Sequence, residues 1–315
     1  MMNLATLTMN PTIDVSFEVD RVFHTRKMRG HSERHAPGGG GINVARVFVR
    51  LGGNARCYYL SGGATGVALD GLLDLHQLVR AKVQIRSETR VSTSVLETSS
   101  RREYRFVTDG PEVAPEEWRQ CLDRLAEADC DYLVASGSLP RGVPDDFYAR
   151  VAALMGQRGI RFVLDTSGPG LAQGLAGGRV FLVKPSIGEL RTLTGRDLAS
   201  EEEIAEAAQA IVSRGEAKHV AVTMGADGAL LASEVGLLRL PALAVQAESA
   251  VGAGDSFLAA MVHSLATGRT PPEAFHFGIA AGAAATLRTG TDLARAADIR
   301  RLYSEAQAPA RRNRR

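Results

Sequence analysis

Apolar and polar residues follow two different rhythms along this chain. Residues 4–9 form an apolar run that Asn10-Pro11 stops, which predicts a first strand. Val15, Phe17 and Val19 then alternate with Ser16, Glu18 and Asp20, a period of two that predicts a strand with one covered face. Lys27 and Arg29 follow in a polar connection. Residues 43–50 read as a helix closed by Gly52-Gly53, 57–60 as a short strand, and Leu69, Leu72, Leu73 and Leu75 as part of a helix. Alternation returns at Val91, Thr93 and Val95 and again at Tyr104 and Phe106, which predicts a hairpin around Ser99-Ser100.

From Pro115 the rhythm changes. Helical stretches at 116–128, 145–157 and 201–213 separate short apolar strands at 132–136, 162–165, 180–183 and 219–223. Shorter strands at 229–232 and 237–240 follow, and two last helices, 272–287 and 298–306, enclose Arg288-Thr289-Gly290-Thr291. Short apolar strands alternating with helices of ten or more residues mean βαβ units. The predicted fold class is therefore α/β, a doubly wound and mostly parallel sheet flanked by helices. No repeat and no long linker divides it, so residues 1–308 read as one domain. The segments near 14–30 and 88–108 read as a small β-sheet lid inserted into that domain, and 309–315 as a disordered basic tail.

Composition adds limits. At 315 residues, with 45% apolar and 23% charged positions, the chain has the make-up of a soluble globular protein with a large core. Part of the net charge of +2 sits in Arg311-Arg312-Asn313-Arg314-Arg315, which leaves a near-neutral body and argues against a nucleic-acid or membrane-surface role. Cys57, Cys121 and Cys130 lack metal-ligand spacing and fit buried thiols in a reducing compartment. With no signal-like N-terminus and no apolar run near 18 residues, the expected location is cytoplasmic. Exposed alternating lid strands invite pairing with a second chain, a homodimer through the lid sheet.

Two glycine-rich stretches carry the candidate chemistry. In Ala250-Val251-Gly252-Ala253-Gly254-Asp255-Ser256, glycines let the backbone turn and approach a ligand, and the helix that follows offers N–H groups to an anion. Asp255 would repel a phosphate, so it either caps the helix or serves as a base beside the anion. In Pro37-Gly38-Gly39-Gly40-Gly41-Ile42-Asn43, four glycines precede an apolar helix, which excludes a flexible linker. Asn43 either bonds sugar hydroxyls or caps that helix. Asp14 follows the first strand, at the end where open α/β sheets place ligands. Arg105 projects opposite Tyr104 and Phe106, toward solvent or an anion.

Together these stretches resemble the ribokinase-like (PfkB) family of sugar kinases over roughly residues 4–303. Gly38-Gly39-Gly40-Gly41-Ile42-Asn43-Val44-Ala45 and Val251-Gly252-Ala253-Gly254-Asp255-Ser256 match its two signatures, in order and about 210 residues apart. Asn10-Pro11-Thr12-Ile13-Asp14, Ser136-Gly137-Ser138-Leu139-Pro140 and Val183-Lys184-Pro185 resemble the branch acting on sugar phosphates. Pro37, Gly40 and Glu103-Tyr104-Arg105-Phe106-Val107 look most like its 6-phosphofructokinase members.

The resemblance implies a ribokinase-like fold and ATP-dependent phosphorylation of fructose 6-phosphate at the C1 hydroxyl, a glycolytic step. Tagatose 6-phosphate and fructose 1-phosphate are the alternative acceptors. It implies that Asp255 takes the proton while Gly252, Ala253 and Gly254 hold the transferring phosphoryl. Asp14, Asn43, Ser138 and the glycines Gly38, Gly39 and Gly40 would hold the sugar, and Lys27, Arg90 and Arg105 its phosphate. Lys184, Ser186, Thr223, Gly225, Gly228 and Gly254 would line ATP, with Glu189 orienting Mg²⁺ through water. A potassium loop would use oxygens near Ser249, Val251, Ala285, Arg288 and Gly290. Two positions depart from the family pattern, Ser186 where Asn is usual and Asp292 where Arg is typical.

Two other classes compete with this reading. A Rossmann dehydrogenase needs a glycine fingerprint where Asn10-Pro11 stands. A non-catalytic sugar-phosphate or nucleotide sensor could share the fold, but Asp255 between intact glycines argues for the chemistry.

Overall fold

The structure, a computed structural model, describes residues 3–288 and 290–307. The C-terminal tail expected at 309–315 lies outside them, as does Thr289 in the predicted potassium loop.

The first half of the chain contributes β1 (Leu4–Thr8), β2 (Thr12–Val19), β3 (His31–Gly38), α1 (Gly40–Arg50), β4 (Ala55–Ser61), α2 (Gly63–Leu75), β5 (Val79–Gln84), β6 (Arg90–Glu97) and β7 (Arg102–Phe106). Strict alternation of helix and strand follows: α3 (Pro115–Ala126), β8 (Tyr132–Ser136), α4 (Phe147–Gln157), β9 (Arg161–Asp165), α5 (Gly168–Ala176) and β10 (Val180–Val183). Next come α6 (Ile187–Thr194), α7 (Glu201–Ser213), β11 (Ala217–Thr223), β12 (Ala229–Ser233) and β13 (Gly236–Leu240). The helices α8 (Ala253–Ala266), α9 (Pro271–Thr286) and α10 (Ala296–Gln307) close the fold.

Nine strands form the main sheet in the order β13-β12-β11-β10-β9-β8-β1-β4-β5. The seven from β11 to β5 are parallel, and β12 and β13 add two antiparallel pairings at one edge. Their runs are apolar on both faces because both faces are covered. One side packs against α1, α2, α8, α9 and α10 through residues such as Phe48, Leu73, Phe257, Phe275 and Ile299. The other packs against α3 to α7 through Trp118, Phe147, Leu171, Leu190 and Ile211. The buried Cys57 and Cys121 and the half-buried Cys130 are free thiols. Among the described residues no helix is long and apolar enough to cross a membrane.

Chain order reverses between β1 and β8. From β1 the sheet grows through β4 to β5 on one side and from β8 to β13 on the other. A crevice opens at such a switch point, beyond the strand C-termini. The Asn10 side chain bridges it, donating to Ser138 Oγ at 3.2 Å.

The lid is a second sheet of order β3-β2-β6-β7. Its inner face carries Thr12, Asp14, Arg90, Ser92 and Arg105 toward the crevice, while Val91 and Phe106 alternate onto the outer face and stay exposed. Two strands and one helix had no expected counterpart: β3, β5 and α6. The helix after the first glycine run also starts three residues earlier than the expected 43, at Gly40.

Candidate active site

Parallel strands set the functional groups along one edge of the sheet. Asn10 follows β1, Ser138 follows β8, Asp165 ends β9, Lys184 follows β10 and Thr223 ends β11. The lid covers the β1 end of this row. Between them lies a cavity of about 320 Å³ lined by Asp14, Asn43, Arg90, Arg105, Asp165 and Asp255 among others.

The glycines of the first stretch are there for space. A Cβ on Gly38 would fall 2.1 Å from Asp14 Oδ2, and one on Gly40 would fall 2.1 Å from Ser136 Oγ. Gly39 precedes α1 and, with Gly40, lines the cavity. At the second stretch Gly252 is the N-cap of α8, in the left-handed region at φ 70°, where a Cβ would meet Leu293 Cδ2 at 2.4 Å. This turn starts α8 at the cavity, where Val251, Gly252 and Asp255 line the space and the helix dipole favours an anion; the Ala253 N–H donates to Ala250 O at 3.4 Å.

Asp255 does not cap α8; no side chain does. Its Oδ2 accepts a hydrogen bond from Asn43 Nδ2 at 2.9 Å. Burial pushes its pKa up to about 6 and Asp165 adds to the rise, while the Asn43 bond and Lys184 oppose it. Asn43 does not cap α1 either, since Gly39 holds that place. Asp14 is also raised to about 6, by burial, against the pull of Arg105, Arg46 and Arg90. Two carboxylates whose pKa values lie near 6 in one cleft suit proton transfer near neutral pH.

The cationic side of the cavity is split. Arg90 is fixed, donating through Nη1 to Thr108 O and through Nη2 to Asn10 O, both at 2.9 Å. Arg105 is exposed and lines the same cavity. Lys27 is exposed, on the connection between β2 and β3, and is not among the residues that line this cavity.

Lys184 is almost fully buried and its Nζ pairs with Asp165 Oδ1 at 3.0 Å. Burial works against that charge, but Asp165, with Glu189 and Asp255 behind it, more than offsets the cost and holds the pKa above the ordinary lysine value. A Cβ on Gly254 would stand 3.3 Å from the same Nζ, so the ammonium sits against the start of α8. Thr223 bridges to Ser186 across the strand ends, and the turn Gly225–Asp227 follows with Gly225 facing open space. Gly228 is packed against Leu240 O, where a Cβ would fall at 2.2 Å.

Ser186 is the N-cap of α6. Its Oγ accepts from Glu189 N at 3.2 Å, and Glu189 Oε2 accepts from Ser186 N at 2.7 Å. This capping box holds the Glu189 carboxylate at the cavity wall. Among the described residues no three His, Cys, Asp or Glu side chains converge on one point. The single Glu189 carboxylate at the cavity wall fits a magnesium ion held through water and substrate phosphates, as the resemblance implies.

The segments proposed for potassium are adjacent: Glu248 N and Ser249 N donate to Thr286 O at 2.7 and 3.4 Å, and Gly290 packs on Ser16 of the lid. The Arg288 side chain is engaged with Asp298. Asp292 pairs with Arg50, Oδ1 to Nη2, at 3.2 Å.

Sequence reasoning missed Asp165, Ser136 and Arg46 as site residues. Asp165 and Ser136 had a usable signal, because both end apolar strands at the ligand edge and Ser136 opens a motif quoted above. Arg46 had none.

An α/β sheet with its ligands at a switch point, a buried carboxylate beside a helix N-terminus and a cationic lid define a phosphotransferase acting on a small hydroxylated acceptor. Residues 7–297 match the pfkB family of carbohydrate kinases, and the chain belongs to that family. It is 42% identical over 308 residues to the ATP-dependent 6-phosphofructokinase isozyme 2 of Mycobacterium tuberculosis (strain H37Rv), covering 97% of this chain and 90% of that protein. Phosphofructokinase-2 from Escherichia coli in complex with potassium superposes with a TM-score of 0.94 at 37% identity, covering 98% of this chain and 100% of that one. The same enzyme in complex with fructose-6-phosphate gives 0.91, also at 37% identity, over 97% and 99%. The chain is thus a sugar-phosphate kinase that transfers phosphate to an alcohol.

Proposed function

We propose that this kinase transfers the γ-phosphoryl group of ATP to the C1 hydroxyl of fructose 6-phosphate. The observation that carries the reading is one cavity lined both by Gly252 and Asp255 at the start of α8 and by Arg90 and Arg105 of the lid. A sugar phosphate bound there sets its dianion on the arginines and its free hydroxyl at the carboxylate. The named substrates of the two phosphofructokinase-2 relatives support the choice of sugar.

In this reading Asp14 and Asn43 orient the sugar hydroxyls, and Ser138 is steadied by Asn10. Asp255 accepts the hydroxyl proton as the oxygen attacks the γ-phosphorus and the bond to ADP breaks. The N–H groups of Ala253 and Gly254, with Lys184 beside them, receive the charge on the transferring group. Thr223, Gly225 and Gly228 line the nucleotide. A magnesium ion, oriented by Glu189 through water, supplies charge neutralisation when bound. Potassium at the Ser249–Val251 and Ala285–Gly290 segments is part of the proposal, supported by the potassium complex of the E. coli relative. So is a homodimer that covers the exposed outer face of the lid.

A coupled assay of ADP release across fructose 6-phosphate, fructose 1-phosphate, tagatose 6-phosphate and plain fructose tests the substrate. The expected order has fructose 6-phosphate first by at least tenfold in kcat/KM. Preference for either of the other phosphates would reassign the acceptor, and equal turnover of plain fructose would remove the phosphate site altogether.

A further inference from the structure

Arg46 is a buried cation to which the proposed reaction assigns no part. It lies on α1, one turn beyond Asn43, with 4% of its surface exposed. Its Nη1 donates to Pro37 O at 2.9 Å and to Asn43 Oδ1 at 3.2 Å, and its Nε has no partner. Burying a guanidinium with an orphaned N–H costs stability, so packing alone does not account for it. Arg46 also faces like charge from Arg50 on the same helix.

The geometry has a chemical consequence. A guanidinium has donors only, so the Asn43 atom that faces it must be the oxygen. The amide nitrogen is then left facing Asp255, and it does donate to Oδ2 at 2.9 Å. Without Arg46 the amide is free to turn over, which would set its oxygen against the carboxylate and favour a protonated acid. Among the carboxylates, Asp14 is coupled most strongly to the Arg46 charge, ahead of Asp292 and Asp255, so the effect on Asp255 runs chiefly through the Asn43 amide.

We infer that Arg46 is a positioning residue for the reaction: it locks the Asn43 amide in the orientation that donates to Asp255, and it keeps that carboxylate ionised and ready for a proton. The inference rests on the proposed role of Asp255 as the base. Other charged groups around Asp255 are Asp165 from the end of β9, Lys184 after β10 and Asp14 from β2. Those around Arg46 are Arg50, Asp14, Asp292 and Asp255, with His76 at the end of α2 feeling its charge in turn. None of these changes in the variants below.

The test is the pH profile of kcat at saturating ATP and fructose 6-phosphate, or whichever sugar phosphate the parent enzyme prefers. It compares the parent with Arg46→Met, Arg46→Lys and Asn43→Ala. Loss of one charge-assisted contact should move the acid limb up by about one pH unit in Arg46→Met and Asn43→Ala. Turnover at pH 6 should fall about fivefold in Arg46→Met and recover toward the parent value at pH 8, with KM for ATP unchanged. Arg46→Lys keeps the charge and one donor and should keep the acid limb in place. An acid limb that stays put in both Arg46→Met and Asn43→Ala would overturn the inference, as would Arg46→Lys behaving like Arg46→Met. If Arg46→Met does not fold, Asn43→Ala against Arg46→Lys decides by the same criterion. Asp255→Asn serves as the control. Parent-like turnover there would mean that the base is misassigned, a failure separate from that of Arg46.

Discussion

At the scale of single residues the site works through pairs that lie far apart in sequence. Asn43 had two local readings, sugar ligand or helix cap, and local sequence left them level. Gly39 in the N-cap place excludes the cap, and the side chain instead bonds Asp255, 212 positions away. The glycines were legible as close-approach sites, but not which atoms they make room for. Asp255→Asn should lower kcat by roughly 10²–10⁴ with KM little changed, as steady-state kinetics will show. The same change should raise the melting temperature at pH 7.5. A carboxyl whose pKa rises to about 6 on folding binds its proton more tightly in the folded state, so its ionised form opposes folding above that pH. The gain, on the order of 2 kcal/mol, should shrink as pH falls from about 6 toward 4; a gain independent of pH would count against burial as the cause. The two arginines should also separate. Arg105→Ala should raise KM for the sugar phosphate about tenfold or more and leave stability alone. Arg90→Ala should do the same and also lower the melting temperature, because Asn10 O and Thr108 O lose their donor.

At the scale of elements, what the sequence reading missed has more than one cause. The strands β3 and β5 are edge strands, one of the lid and one of the main sheet. In β3, charges such as Glu33 and Arg34 protect an open edge and leave no apolar period, whereas β5 does alternate Val79, Ala81 and Val83 with Arg80, Lys82 and Gln84, a period too short and too charged to stand out. Interior strands such as β8 and β11 keep solid apolar runs and were read within two residues. The helix α6 is only eight residues long and has a single fully buried residue, Leu190, too little for a helical period. Its start was nonetheless written in Ser186 and Glu189, three positions apart. Ser186→Ala should cost about 1 kcal/mol in thermal unfolding and, by loosening Glu189, raise the magnesium concentration for half-maximal rate. Ser186→Asn keeps a capping side chain and adds reach, so it should hold stability and lower that requirement. A magnesium titration that separates neither variant from the parent would show that Glu189 does not depend on the cap.

For the molecule as a whole, the parallel sheet and its lid followed from the two rhythms of the chain, whereas the strand order did not, since period says nothing about neighbours. That order has β1 hydrogen-bonded on one side to β4 and on the other to β8. The strand made first is thus completed only after the chain has grown past β8, and the Asn10–Ser138 bond that seals the crevice joins positions 128 apart. Closing so long a loop is slow, and parallel pairing gains nothing until it is done. During that wait Leu4, Leu7 and Met9 stand uncovered beside an open strand edge, so each unfinished chain can be captured by another. Refolding from denaturant should therefore recover helical circular dichroism early and catalytic activity only with the slowest phase. The recovered fraction should fall as protein concentration rises. Simultaneous return of both signals would place the docking of β1 early. Otherwise the enzyme's birth, more than its working life, is when it is most exposed to aggregation.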